Sequence, residues 1–117
     1  MDSNITSSEY INIDDALSRV GGNMALYKRL LSRFVEGDQY GALISALESG
    51  DNDEAVRQAH SLKGVSANLS LSKIWAITVD LEQMLKNNSD YSSTLDELTQ
   101  AFTTTTEMIT KLLSDDS

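Results

Sequence analysis

The sequence predicts an all-α fold: an antiparallel up-down four-helix bundle with one or two additional short N-terminal helices. The chain has 117 residues, enough for one hydrophobic core. It contains no proline, and its apolar residues recur three and four positions apart, as in helices, rather than alternating as in strands. Connections of only a few residues between the longer segments favour antiparallel neighbours.

Glycines separate the first three helical segments, of which the first is short and the third belongs to the four helices of the predicted bundle. Gly21-Gly22 ends the first, Asn23 can cap the second, Gly37-Asp38 stops or bends it, and Ser49-Gly50 closes the third. We expect the first two segments to cover one end of the bundle. Their apolar residues, in chain order, are Ile11, Ile13, Ala16, Leu17 and Val20, then Tyr27, Leu30, Leu31 and Phe34, then Tyr40, Leu43, Ile44 and Leu47.

Three longer segments complete the predicted bundle. Asp51 opens the first of them, with Glu54 three residues on, as in a capping box. The next starts near Leu71 and ends at Asn87-Asn88, and the last follows Tyr91-Ser92-Ser93. Apolar or small residues mark the inner faces of the last two: Leu71, Ile74, Thr78, Leu81 and Leu85, then Leu95, Leu98, Phe102, Thr105, Ile109 and Leu112.

The only histidine of the chain, His60, lies in the helix that Asp51 opens. A rotation of about 100° per residue puts a small and apolar stripe on one side of that helix and His60 about 150° from its centre. The stripe consists of Ala55, Ala59, Leu62, Ser66 and Leu69. Lys63 and Gly64 follow His60 by about one turn. Glycine inside a helix costs about 1 kcal/mol relative to alanine, which suggests that a partner approaches closely here, although a tolerated glycine near a kink is the alternative.

Net charge and composition limit the classes of partner that the chain can bind. The formal net charge is −9, which argues against nucleic acid, since phosphate backbones require a cationic footprint. No apolar run is long enough to cross a bilayer, and the first residues are polar and acidic, so neither an anchor nor a signal peptide is indicated. The absence of cysteine fits a reducing compartment. We expect a soluble, cytoplasmic protein, a monomer that binds neither membranes nor nucleic acid.

The sequence lacks the motifs of most catalytic chemistries. There is no nucleophile elbow of the serine hydrolases, no phosphate-binding loop with its lysine, and no histidine–cysteine cluster for zinc. A neutral imidazole remains, and it can attack a phosphorus atom that a partner delivers, with Lys63 offsetting the phosphoryl charge. On these residues alone, an ordinary surface histidine beside a solubilising lysine is an equally good interpretation.

The stretch from Ala59 to Leu69 resembles the active-site motif of histidine-containing phosphotransfer (HPt) domains, H-x-L-K-G followed by small residues and leucine. The matching residues are His60, Leu62, Lys63, Gly64, Ala67, Asn68 and Leu69. Helix number and order extend the resemblance over about residues 11–113. It implies that His60 Nε2 takes a phosphoryl group from a receiver-domain aspartate and passes it to another, with Lys63 stabilising that group and Gly64 leaving room for docking. The receiver supplies Mg²⁺, so the chain needs no cofactor or metal of its own.

The resemblance assigns further residues. Glu82, with Gln83 as fallback, would hydrogen-bond the far ring nitrogen of the histidine and fix its tautomer, although Glu82 can equally be a solvated flank residue. Helical geometry places Val56, Gly64 and Ala67 beside His60, and we expect these three residues to form the partner-binding patch. Trp75 and Val79 are candidates to extend it, but we expect Trp75 to lie in the core. Ser70 replaces the usual glycine after Leu69, and we expect it to cap the following helix.

The leading hypothesis is a phosphorelay carrier without an ATP site or autokinase activity. It divides the chain into a flexible lead-in (1–10), an HPt-like bundle (11–113) and a polar tail (114–117). The alternative is a non-phosphorylated helical adaptor or inhibitor that binds a receiver or a histidine kinase. The same sequence would also suit the phosphoacceptor module of a larger kinase.

Overall fold

Six helices account for most of residues 8–114, the part of the chain that the structure, a computed structural model, describes. They are α1 (Ile13–Arg19), α2 (Met24–Glu36), α3 (Gln39–Ser49), α4 (Asn52–Asn68), α5 (Ser72–Lys86) and α6 (Ser92–Ser114). No strand occurs within the described range, so the all-α prediction is confirmed. Most of the predicted lead-in and tail, residues 1–7 and 115–117, lie outside the described residues.

Side-chain caps start three of these helices where the sequence offers them. The side chains of Asn12, Asn23 and Asp51 each accept a hydrogen bond from a backbone N–H in the first turn of α1, α2 and α4. The capping box expected at Asp51 is only half formed. The Glu54 side chain accepts from Arg57 and Gln58 instead, and the Asp51 N–H donates to Ala46 O.

Four sides of a bundle are formed by α4, α5, α6 and the pair α2–α3. Helix α4 packs against α3 and α5, α5 packs against α6, and α6 packs against α2, while α1 contacts α2. Phe102, midway along α6, stacks on Tyr40 at a ring-centroid distance of 4.3 Å and contacts Phe34 at 5.8 Å. The α2–α3 junction therefore lies against the middle of α6. The expectation that the first two helices cover one end thus omits the packing of α2 along α6.

The predicted inner stripes form the core. The stripe of α4 is buried, as is that of α5. In α6, Leu98, Thr105, Ile109 and Leu112 are buried, whereas Leu95 and Phe102 are half-buried and pack against the core. Trp75 is the exception to our expectation, because it is 44 % exposed. Its place in α5 is about 100° from Ile74 and about 60° from Thr78, both completely buried, which turns the indole to the edge of the helix pair. The prediction that Trp75 belongs to the core is wrong.

The α4–α5 turn differs from the expected cap. Ser70 has a φ of +58°, the left-handed region, and Leu71 rather than Ser70 occupies the N-cap position of α5, without a side-chain cap. The Ser70 hydroxyl donates to Asp15 Oδ2 at 2.6 Å, and its carbonyl accepts from the Asn12 N–H at 2.9 Å. Ser70 therefore occupies the backbone conformation that glycine favours and joins the turn to α1 instead of capping α5.

Candidate functional site

His60 lies in the middle of α4 and points to solvent. Its side chain is 69 % exposed, whereas Ala59 and Leu62, on the inner side of the same helix, are completely buried. The packing of the inner stripe fixes the rotation of α4, and that rotation brings the imidazole to the surface, as helical geometry predicts. The ring is consequently accessible to a second molecule.

Glu82 on α5 reaches the imidazole from the neighbouring helix. Its Oε2 lies 3.1 Å from His60 Nδ1 and its Oε1 lies 2.7 Å from Lys63 Nζ. Glu82 is only 4 % exposed, so it is not the solvated flank residue that the sequence also allowed. Gln83, the fallback, is exposed. The structure therefore brings together His60, Lys63 and Glu82, three residues that the sequence singled out.

The environment of Glu82 keeps its carboxylate charged. Burial raises the pKa of Glu82. The hydrogen bonds from Lys63, Lys86 and His60, together with the charge of Lys63, lower this pKa by a larger amount, so that the resulting value is about 2. An ionised carboxylate only accepts hydrogen bonds. At neutral pH the hydrogen of this contact must therefore be on Nδ1, which leaves the lone pair of a neutral imidazole on Nε2.

Lys86 is the residue of this cluster that the sequence analysis did not identify. Its Nζ lies 3.2 Å from Glu82 Oε2, the oxygen that also faces His60. A signal for it was present, because Lys86 follows Glu82 by four residues in the same helix and such pairs are neighbours on a helix surface.

Gly64 leaves open space beside His60. A Cβ added at Gly64 would meet nothing within 4 Å outside the local helix backbone. The fold therefore does not require glycine at this position. Val56 and Ala67, the other two residues predicted to bind a partner, are half-buried on α4. Trp75 and Val79 lie on the side of α5 that carries Glu82, because seven and three residues correspond to rotations within about 60° of it.

Neither metal ligands nor a membrane segment accompany this site in the described part of the chain. Residues 8–114 hold no group of three or more histidine, cysteine, aspartate or glutamate side chains suited to a metal ion. Over the same range, no helix has the length and apolar character needed to cross a bilayer.

The Hpt domain family model matches residues 30–115, most of the chain. This protein belongs to the Hpt domain family. Hpt domains serve histidine phosphotransfer in phosphorelays, where they are carriers rather than kinases and interact with receiver and kinase partners. The resemblance of residues 59–69 to the HPt motif thus agrees with a match over a much longer segment. Comparisons with curated proteins and with solved structures gave no significant match.

Proposed function

We propose that this Hpt domain accepts a phosphoryl group on His60 from the phospho-aspartate of one receiver domain and passes it to the aspartate of another. The observation that carries the proposal is the exposed imidazole whose Nδ1 faces the buried Glu82 carboxylate at 3.1 Å. This contact favours the tautomer with a free lone pair on Nε2, the nitrogen directed away from Glu82. Receiver domains are the partners that such a nucleophile requires, since the chain carries no nucleotide-binding motif of its own.

In the transfer step one bond to phosphorus forms and one breaks. The Nε2 lone pair attacks phosphorus, the new N–P bond forms, and the P–O bond to the donor aspartate breaks, so that the aspartate leaves as a carboxylate. Glu82 stabilises the positive charge that develops on the ring, because its carboxylate lies against Nδ1–H. The reverse step at a second receiver regenerates neutral His60. In this proposal Mg²⁺ is bound by the receiver, and the Hpt domain uses no cofactor of its own.

Lys63 and Gly64 have separate roles in the proposal. Lys63 lies one turn from His60 and supplies a mobile positive charge for the phosphoryl oxygens. Gly64, exposed on the same side of α4, lets the receiver approach the ring closely. Val56 and Ala67 border this approach and are proposed to contact the receiver.

The test is intact-mass analysis after mixing the protein with phosphorylated receiver domains and Mg²⁺. We expect an acid-labile phosphoryl adduct on the wild type and none on His60→Gln, whose fold should persist because the changed side chain is exposed. Ser61→Ala is the matched control, because Ser61 is the exposed neighbour of His60 in α4, and it should accept phosphate normally. Acid lability separates a phosphohistidine from an acid-stable phosphoserine.

Two results would contradict the proposal. Phosphorylation of His60→Gln would show that another residue is the acceptor. Measurable receiver binding without any adduct on the wild type would favour the adaptor function instead, in which the same face docks a receiver but carries no phosphoryl group.

A further inference from the structure

Two lysines contact Glu82, although one positive charge is enough to balance it. Lys63 Nζ lies 2.7 Å from Oε1 and Lys86 Nζ lies 3.2 Å from Oε2. The carboxylate and the two ammonium groups together leave one surplus positive charge beside the imidazole of His60. A phosphoryl group arriving at His60 brings negative charge to this place.

The two lysines belong to different helices. Lys63 shares α4 with His60 and follows it by three residues, so the two side chains are neighbours on the helix surface. Lys86 shares α5 with Glu82 and follows it by four residues. Lys63 can therefore turn from the carboxylate to a group on the imidazole without any movement of the backbone. Lys86, four residues after Glu82 on the same helix, is placed to remain beside the carboxylate when Lys63 turns away.

A lone Lys63 would face a conflict between its two partners. Glu82 is buried, and a buried carboxylate that loses its only cation is strongly destabilised. The Glu82 carboxylate would then take up a proton or turn away, and either change removes the charged acceptor for His60 Nδ1–H. Because Lys86 contacts Oε2, the oxygen that faces Nδ1, it can preserve that acceptor after Lys63 has left.

We propose that Lys86 is a positioning residue: it keeps Glu82 ionised and aimed at His60 Nδ1 while Lys63 leaves the carboxylate for the phosphoryl group on Nε2. The second half of this inference, the release of Lys63 to the phosphoryl group, rests on the proposed function. The first half concerns the unphosphorylated protein and is testable without any transfer.

The first test is a double-mutant cycle read by ¹⁵N NMR of the His60 imidazole in the unphosphorylated protein at neutral pH. Lys63→Met imitates the departure of Lys63. We expect the Nδ1–H tautomer to persist in each single variant, Lys63→Met and Lys86→Met. When both substitutions are combined, the ratio of the Nδ1–H to the Nε2–H tautomer should fall about tenfold, which is within the range of coupling between neighbouring groups.

Two further double variants make this cycle specific. Lys63→Met with Lys86→Arg should retain the tautomer, because arginine restores the cation on the same helix. Lys63→Met with Lys111→Met is the matched control, since Lys111 is an exposed lysine in the last turn of α6 as Lys86 is in the last turn of α5. Equal tautomer ratios in the Lys86→Met and Lys111→Met double variants would overturn the proposal.

The second test measures how fast His60 is phosphorylated by phosphoramidate, a small donor that needs no receiver. The P–N bond of the donor breaks, ammonia leaves, and the new bond forms to Nε2. In Lys86→Met, Lys63 must stay with Glu82, so we expect the rate to fall about tenfold, as is typical when an outer partner of a reacting group is lost. Lys86→Arg should restore the rate, and Lys111→Met should match the wild type.

The two tests separate this inference from the function on which it rests. A Lys86→Met rate equal to that of Lys111→Met overturns the release of Lys63. A wild type that takes no phosphoryl group from phosphoramidate or from a receiver overturns the proposed function and the role of Lys63 with it. The tautomer cycle would still decide whether Lys86 positions Glu82.

Discussion

Glu82 determines the state of the site at the scale of single residues. It is a carboxylate taken out of water, which is unfavourable unless charges and hydrogen bonds compensate it. Three nitrogens, on His60, Lys63 and Lys86, lie within 3.2 Å of its oxygens. The compensation is strong enough that the folded protein holds Glu82 ionised, and this links the stability of the fold to pH.

We expect acid to weaken the wild type more than Glu82→Gln. The pKa of Glu82 is lowered from 4.5 to about 2, so its contribution is complete above about pH 4.5 and is lost as pH falls towards 2. A shift of that size corresponds to roughly 3 kcal/mol of unfolding free energy. The measurement is urea unfolding at a series of pH values. Glu107→Gln, which removes an exposed carboxylate of α6, is the control, and a wild-type curve parallel to that of Glu82→Gln would contradict the prediction.

Substitutions at Gly64 should affect stability and phosphoryl transfer differently. Because nothing occupies the space beside it, Gly64→Ala should raise the unfolding free energy by about 1 kcal/mol through helix propensity. Gly64→Leu should stay folded yet slow phosphoryl transfer, because its side chain stands in the approach to His60. The same leucine placed at Ala25, an exposed residue of α2, is the control for added bulk and should leave transfer unchanged. Unimpaired transfer in Gly64→Leu would show that the glycine does not serve access.

The α4–α5 turn is the feature that matters most at the scale of elements. The two helices of the site meet at Leu69, Ser70 and Leu71, and this turn is attached to the N-terminal helices. Tyr27 in α2 donates its hydroxyl hydrogen to Leu69 O at 2.7 Å, and Asp15 in α1 accepts from the Ser70 hydroxyl. Helices α1 and α2 therefore hold the turn that sets how α4 and α5 pack.

Replacing Ser70 should distinguish backbone conformation from side-chain bonding. Alanine and glycine both lack the hydroxyl, but only glycine adopts a φ of +58° without a steric cost. We expect Ser70→Gly to be more stable than Ser70→Ala by about 1 kcal/mol, and Ser70→Ala to be less stable than the wild type because the bond to Asp15 is lost. Urea midpoints measure both differences. Equal midpoints for the two variants would mean that the turn relaxes to another conformation.

At the scale of the whole molecule, the α4–α5 pair presents an exposed face on a strongly acidic protein. The net charge is −9, yet the surroundings of His60 contain Lys63 and Lys86. The exposed Trp75 lies about two turns of α5 from Glu82 on nearly the same side. Aromatic residues that are exposed in the free protein are favoured contacts in protein interfaces. This face is the one that the proposed function assigns to receivers.

Trp75 supplies both a probe and a test of that assignment. As the only tryptophan of the chain, it should change its fluorescence when a receiver binds. Trp75→Ala should keep its fold, because the side chain is 44 % exposed, and should weaken receiver binding at least about tenfold if it is an interface anchor. Gln100→Ala, which shortens an exposed side chain of α6, is the control. Unchanged affinity and unchanged fluorescence would place the docking surface elsewhere.

Local patterns were sufficient to predict the helices and the exposure of His60. The apolar spacing of each segment fixes which side faces the core, and the caps at Asn23 and Asp51 act on residues three positions away. The orientation of His60 follows from the stripe on its own helix. All of this depends on contacts within a few residues, which a single sequence displays.

Tertiary packing decided what depends on two helices at once. The sequence identified Glu82 by resemblance but did not show that it is buried, that Lys86 shares it with Lys63, or that Trp75 is exposed. Nor did it show that Ser70 bonds to Asp15 across 55 positions. The rotation of α5 and the docking of α1 result from the packing of the whole core, and the burial of one side chain depends on neighbours that are distant in the chain. The sequence by itself therefore determined the helical fold and the exposed histidine, whereas the charge cluster that holds the imidazole exists only once α4 and α5 are packed together.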